Sequence, residues 1–224
     1  MFFTLGNVLD KAALDEARAH IAGLSWRDGA VTAGASAKQV KRNEQADLST
    51  AGGKALAANL LKQIKAHPIV QAYARPARVS PLLLSRTGVH GGYGAHVDNA
   101  IMGRGQNRLR TDLSFTLFLS DPESYEGGEL ALDLTSGVQT VKLNAGDMVI
   151  YPSGFIHEVT PVTKGERLVA VGWIQSQIRS AANRQTLFDL EQVRTTLRGK
   201  SAGSPELLTL DKVISNLLRE WAEL

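Results

Sequence analysis

The chain has 224 residues, 43% of them hydrophobic, and 25 Lys plus Arg against 22 Asp plus Glu for a formal charge of +3, enough for one substantial domain with extensions and a real core, which excludes wholesale disorder. It holds no cysteine, which excludes disulfides, iron–sulfur clusters and cysteine-ligated zinc, leaves imidazole and carboxylate for any metal site, and fits a reducing, cytoplasmic setting. No run approaches the roughly 20 apolar residues of a membrane helix, Met1 to Asn7 lacks the basic leader of a signal peptide, and no concentrated Lys/Arg stripe marks a nucleic-acid binder.

Residues 1–77 read as mainly helical. Leu9, Ala13, Leu14, Ala17, Ile21 and Leu24 recur at helical spacing after a cap at Asn7 or Asp10, and a second helix is predicted from Gly53 to His67 with Leu56, Leu60, Leu61 and Ile64 inward. Residues 28–49, rich in Gly, Ala and polar side chains, carry no assignable period. From 78 to 178 the period falls to two: Val79 to Ser85, Leu113 to Leu119, Leu130 to Leu134, Val138 to Leu143, Met148 to Tyr151 and Leu168 to Ile174 alternate, punctuated by Gly-rich turns. So many short strands predict an antiparallel sandwich or barrel, of which the jelly roll is the common small version. Arg104, Arg108 and Arg110 interleave with Gly and Asn and read as a solvated loop, or else as a contact for an anionic substrate. Over 179–224 the helical period returns. Ser204-Pro205-Glu206 is a start signal, and the stripe Leu207, Leu210, Ile214, Leu217, Trp221 and Leu224 packs on its own domain, forms a homodimer contact, or does both.

Chemistry concentrates in His96-Val97-Asp98, His157 and Arg167. Residues two apart on a strand share a face, so His96 and Asp98 can reach one metal, with Gly91 to Ala95 leaving backbone room before them. His157 supplies a second imidazole. Two histidines and one carboxylate on one side of a metal leave the other side open, the preferred arrangement of non-haem Fe(II) oxygenases. A hairpin at Lys164-Gly165 is predicted to return Arg167 beside His157, where its guanidinium fork can hold a carboxylate. Taken singly, His-x-Asp also fits a surface pair, His157 a strand-end residue, and Arg167 a turn-side arginine.

Together, Tyr93-x-x-His96-x-Asp98, Gly-Gly-Glu-Leu at 127–130, Gly146-Asp147, His157-x-Val159-x-Pro161-Val162-x-x-Gly165-x-Arg167 and Trp173 resemble the Fe(II)- and 2-oxoglutarate-dependent dioxygenases. The match is nearest to the prolyl/lysyl-hydroxylase-like branch and its bacterial PKHD-type hydroxylases associated with iron uptake. The resemblance implies an α+β fold, a double-stranded β-helix (jelly-roll) core over 78–178 flanked by N-terminal helices (1–77) and a C-terminal helical extension (179–224). It implies Fe(II) on His96, Asp98 and His157, with 2-oxoglutarate on Arg167 and Tyr93 as a pocket contact. O2 is the oxidant, ascorbate an expected reductant, and succinate and CO2 the co-products of hydroxylating a small-molecule or peptide substrate. One departure is Thr87, where many relatives carry a second tyrosine; that contact is expected to be absent, water-mediated or supplied from another strand. Two rival readings are a cupin-like metal binder without turnover, holding Fe or another divalent ion, and an interaction module acting through the last helix.

Overall fold

The computed structural model describes residues 1–32 and 40–223. Two antiparallel sheets form its core. The larger, eight-stranded sheet runs in the order Phe3–Leu5, Met148–Pro152, Leu113–Phe118, Arg167–Ser176, Leu83–Thr87, Glu44–Ala46 and Trp26–Asp28, with Pro76–Val79 on the far half of Arg167–Ser176. The smaller sheet runs Gly137–Val141, Leu130–Leu134, His157–Val159, Gly92–His96 and Lys41–Arg42. This is the jelly-roll core the chain pattern predicts, and the two sheets face each other across an interior that is apolar at one end and polar at the other.

The central strand Leu113–Phe118 explains that division. Its alternation suggests one apolar face and one solvated face, yet every residue in it is buried. Leu113, Phe115 and Leu117 pack into the core shared with the helices, while Phe118 joins Leu130, Leu132, Val149, Tyr151 and Val169 between the sheets. Ser114 and Thr116, on the opposite face from Leu113, Phe115 and Leu117, line the cavity. Polar alternation here therefore reports a polar interior, not water.

Helices cover the outer face of the large sheet. Lys11–Ala22 (α1) starts at Asp10, whose side chain accepts from the Ala13 N–H, and Ala51–Ala66 (α2) starts at Thr50, which accepts from Gly53. Leu14, Ala17 and Ile21 of α1 and Leu56, Leu60 and Ile64 of α2 are buried in that core. The N-terminal region is less helical than its sequence suggests: Phe3–Leu5, Trp26–Asp28, Lys41–Arg42 and Glu44–Ala46 extend the sheets. These strands are two or three residues long, too short for a period to be legible.

After Arg179, Ala181–Lys200 (α3) and Pro205–Trp221 (α4) form a pair. Ser204 caps α4 by accepting from Leu207, and the stripe of α4 packs on the chain itself: Ile214 is fully buried with Ile178 and Leu187, and the partly buried Leu210, Leu217 and Trp221 pack around them. Leu224 lies outside the described residues.

The turn before Met148 locks the N-terminus to the barrel. Leu9 N–H donates to the Gly146 carbonyl and Asn7 N–H to Asp147 Oδ1, so Asp147 is a turn residue. Gly146 has φ +92°, and a Cβ there meets the Leu9 carbonyl oxygen at 2.6 Å. Gly146→Ala is therefore expected to cost about 1–3 kcal/mol, read as a lowered urea midpoint at unchanged slope.

Candidate metal centre and co-substrate pocket

His96 and His157 are direct cross-strand partners on Gly92–His96 and His157–Val159, with ring centroids 4.3 Å apart. Each is oriented the same way: Nδ1 lies 2.8 Å from the Gly94 carbonyl in one and 3.0 Å from the Phe155 carbonyl in the other, two residues back in each case. A carbonyl only accepts, so both Nδ1 atoms carry the proton and both Nε2 atoms keep a lone pair. Burial, then the neighbouring His157, pushes the His96 pKa down, which favours the neutral imidazole a metal requires.

Asp98 completes the group. Its Oδ2 stands 3.7 Å from His157 Nε2, and one ligand atom from each of the three residues lies within 4.8 Å of the others. The Ser114 hydroxyl donates to Asp98 Oδ2 at 2.6 Å and lies 2.7 Å from the Ser153 hydroxyl. With its single proton on Asp98, Ser114 must accept from Ser153. This relay fixes the orientation of the carboxylate. Contrary to expectation Asp98 is not on the strand, which ends at His96; the relay, not strand periodicity, aims it.

Arg167 faces the same cavity from the opposite sheet. The predicted hairpin is not formed. Val162–Gly165 pairs with Tyr125–Gly127, while Arg167–Ser176 pairs with Leu83–Thr87 and Leu113–Phe118 in the large sheet. Arg167 is only 3% exposed; its guanidinium stacks on Phe118 at 5.5 Å and has no acidic partner within 4 Å among the described residues, and its Nε bonds to nothing there. Burial works against its charge. Gly128, at φ +68°, makes room for it, since a Cβ there meets Arg167 Cδ at 3.0 Å.

Tyr93 stacks on His96 with centroids 3.6 Å apart, and burial, then the Asp98 charge, pushes its pKa up to about 12. Thr87 is the direct cross-strand partner of Arg167 and is buried. Tyr151 meets His157 edge-on at 5.2 Å and lines the cavity; its pKa too is pushed up, mainly by burial. Sequence reasoning missed Tyr151, Ser114 and Ser153. The polar positions in the buried strand Leu113–Phe118 were the available signal for Ser114. Nothing local marked the other two.

The loop between Asp98 and Asp112 rims the cavity. Arg104 and Arg108 are exposed as expected, but Arg110 is no solvated patch. It grips Asp112 through two nitrogens at 2.7 and 3.0 Å and Glu223 at 2.7 Å. Those acids lie at 112 and 223, so no charge run in the sequence announces them.

A model of the 2OG-Fe(II) oxygenase superfamily matches residues 82–175, and a PKHD-type hydroxylase C-terminal domain matches 182–223. A PKHD-type hydroxylase of Hyphomonas neptunium is 54% identical over 97% of this chain and 98% of its own, and YbiX, a PKHD-type hydroxylase of Escherichia coli O81, is 44% identical over the full length of both. The chain belongs to the PKHD-type hydroxylases. Among solved structures, HygX of Streptomyces hygroscopicus, with nickel, 2-oxoglutarate and hygromycin B bound, shares the fold at TM-score 0.55 and 14% identity, covering 78% of this chain and 82% of that one. As a PKHD-type hydroxylase it is a 2-oxoglutarate- and Fe(II)-dependent oxygenase. Two lone-pair imidazoles and one carboxylate fit ferrous iron, and a buried guanidinium with no acid within 4 Å among the described residues fits a dicarboxylate.

Asp112 knits the rim together, since it also accepts from Ser176 N–H. Asp112→Ala leaves the Arg110 guanidinium, 18% exposed, without its main partner and is expected to cost about 3 kcal/mol. Limited trypsinolysis is expected to cut faster after Arg104 and Arg108 than in the wild type.

Proposed function

We propose that this hydroxylase holds Fe(II) through His96, Asp98 and His157, seats the distal carboxylate of 2-oxoglutarate on Arg167, and hydroxylates a small organic or peptide substrate, with succinate and CO2 as co-products and ascorbate as a reductant. One observation carries the reading. A two-histidine, one-carboxylate set converges at the wall of a cavity whose opposite wall presents a buried arginine with no acid within ion-pair distance among the described residues. Bound there, the metal and keto acid supply oxygen activation, the protein supplying orientation and exclusion.

The side chains divide that work. The Nδ1 bonds of both histidines aim Nε2 at the metal, and the Ser153–Ser114 relay orients the Asp98 carboxylate. Arg167 meets a carboxylate as a fork, repaying the burial of its own charge. Protonated Tyr93 and Tyr151 are donors beside the centre, and Tyr151, three strands along the large sheet from Thr87, offers the hydroxyl that the tyrosine at position 87 supplies in many relatives.

Mixed anaerobically with Fe(II) and 2-oxoglutarate, the protein is expected to develop a visible charge-transfer absorption, and to release succinate when O2 is admitted. His157→Ala and Asp98→Ala are expected to abolish both. Metal binding with no succinate from any substrate would instead favour the cupin-like binder. Full turnover in either variant would exclude the assigned ligands.

Two quantitative outcomes accompany this. Arg167→Ala is expected to raise the KM for 2-oxoglutarate at least 30-fold, on the order of 2 kcal/mol or more, leaving Fe(II) affinity near wild type. Ser114→Ala is expected to weaken Fe(II) affinity roughly 10-fold or more, measured by competition with a chelator.

A further inference from the structure

The cavity is larger than its co-substrate needs. It measures about 1520 Å³, above the roughly 300–1,000 Å³ of ordinary small-molecule sites, and a five-carbon diacid on Arg167 fills one corner. What remains has a definite character. Asp98 is the only acidic residue lining the cavity among the described residues, whereas Lys41, Arg78, Arg104 and Arg167 all line it. Arg78 reaches out to the rim loop, donating to the carbonyls of Arg108 and Gln106 at 2.6 and 2.9 Å, and Arg104 sits on the exposed rim.

Lys41 is placed differently. It comes from the edge strand of the small sheet, facing the sheet that carries Arg167, and is the cross-strand partner of Tyr93. Its Nζ lies 5.3 Å from the centre of the Tyr93 ring, which in turn stacks on His96. The ammonium is thus one aromatic layer from a metal-ligand imidazole. Burial pulls its pKa down, while Asp98 and then Asp28 pull it up; an anion arriving beside it offsets that burial further. Around it the mouth is apolar and exposed: Val40 at 41%, Val97 at 50% and Ile101 at 46%. Large aliphatic side chains facing water at a cavity mouth mark a surface that something covers.

Resting on the reading that Arg167 seats 2-oxoglutarate, we infer that the substrate is an organic anion with an apolar body, its anionic group met by Lys41 and its body by Val40, Val97 and Ile101. The two cations then divide two anions between opposite sheets, co-substrate on one and substrate on the other.

The probes are two dyes sharing one aromatic body: 1-anilinonaphthalene-8-sulfonate, which carries an anion, and N-phenyl-1-naphthylamine, which does not. Each is titrated by fluorescence into the anaerobic Fe(II)–2-oxoglutarate complex of the full chain, while the charge-transfer absorption reports whether metal and co-substrate stay seated. The sulfonate dye is expected to bind without displacing 2-oxoglutarate. Lys41→Gln is expected to weaken it about tenfold, Lys41→Arg to keep it within about threefold, and the neutral dye to bind all three proteins alike. Competition between the sulfonate dye and 2-oxoglutarate overturns the inference, as does equal affinity in Lys41→Gln, or a parallel loss of both dyes. If the wild type shows no charge-transfer absorption at all, the underlying co-substrate reading has failed, and the dyes need not be consulted to see it.

Discussion

A guanidinium buried between two β-sheets is expensive, and much of this molecule is arranged around carrying that cost. Arg167 begins the longest strand, Arg167–Ser176, in the middle of the large sheet. Its backbone there is held by neighbours on both sides, which leaves the side chain little freedom to escape to water. Phe118 under it and Gly128 over it close the remaining directions. A charge so confined, with no acid in contact, is a standing demand for an anion. The metal ligands answer from the other sheet, so the distance between sheets sets the size of what is held between them.

Much of this was legible from residues alone, for reasons that can be named. Leu130–Leu134, the strand from Met148 to Tyr151 (which runs one residue further, to Pro152) and the cap Ser204 follow from short-range rules of alternation and capping, and of the two caps those rules offer for the first helix the chain uses Asp10. The convergence of His96, Asp98 and His157 was suggested by a long motif string and not by any one spacing. Illegible features depend on partners far away in the chain. The 165–167 junction looks like a hairpin, but Val162–Gly165 finds a better partner in Tyr125–Gly127 and the chain changes sheets instead. Turn residues specify a bend; they do not specify which strands pair across it.

The same limit hid the Ser114–Ser153 relay. Nothing in the sequence links two serines 39 positions apart, yet they set the orientation of Asp98. Period two separates Ser114 and Thr116 from Leu113, Phe115 and Leu117 but does not say what their face meets; here that face encloses a polar cavity.

The C-terminal helices bear on the site through the rim. Apolar burial of Ile214 against Leu187 and Ile178 fixes α4, and the chain end then runs back along the barrel: Ala222 bridges Ile178, and Glu223 N–H donates to the Gln177 carbonyl. The Glu223 carboxylate thereby reaches Arg110, which holds Asp112 at the base of the rim loop. An interaction module working through the buried stripe of α4 would have to give up this packing, and with it the tie between chain end and cavity mouth. That argues for the helices as part of the frame of the site. A loop clamped by strand, arginine and chain end at once presents Ile101 and Arg104 from a fixed base, which lets exposed apolar and cationic side chains act as a recognition surface without ordering on arrival.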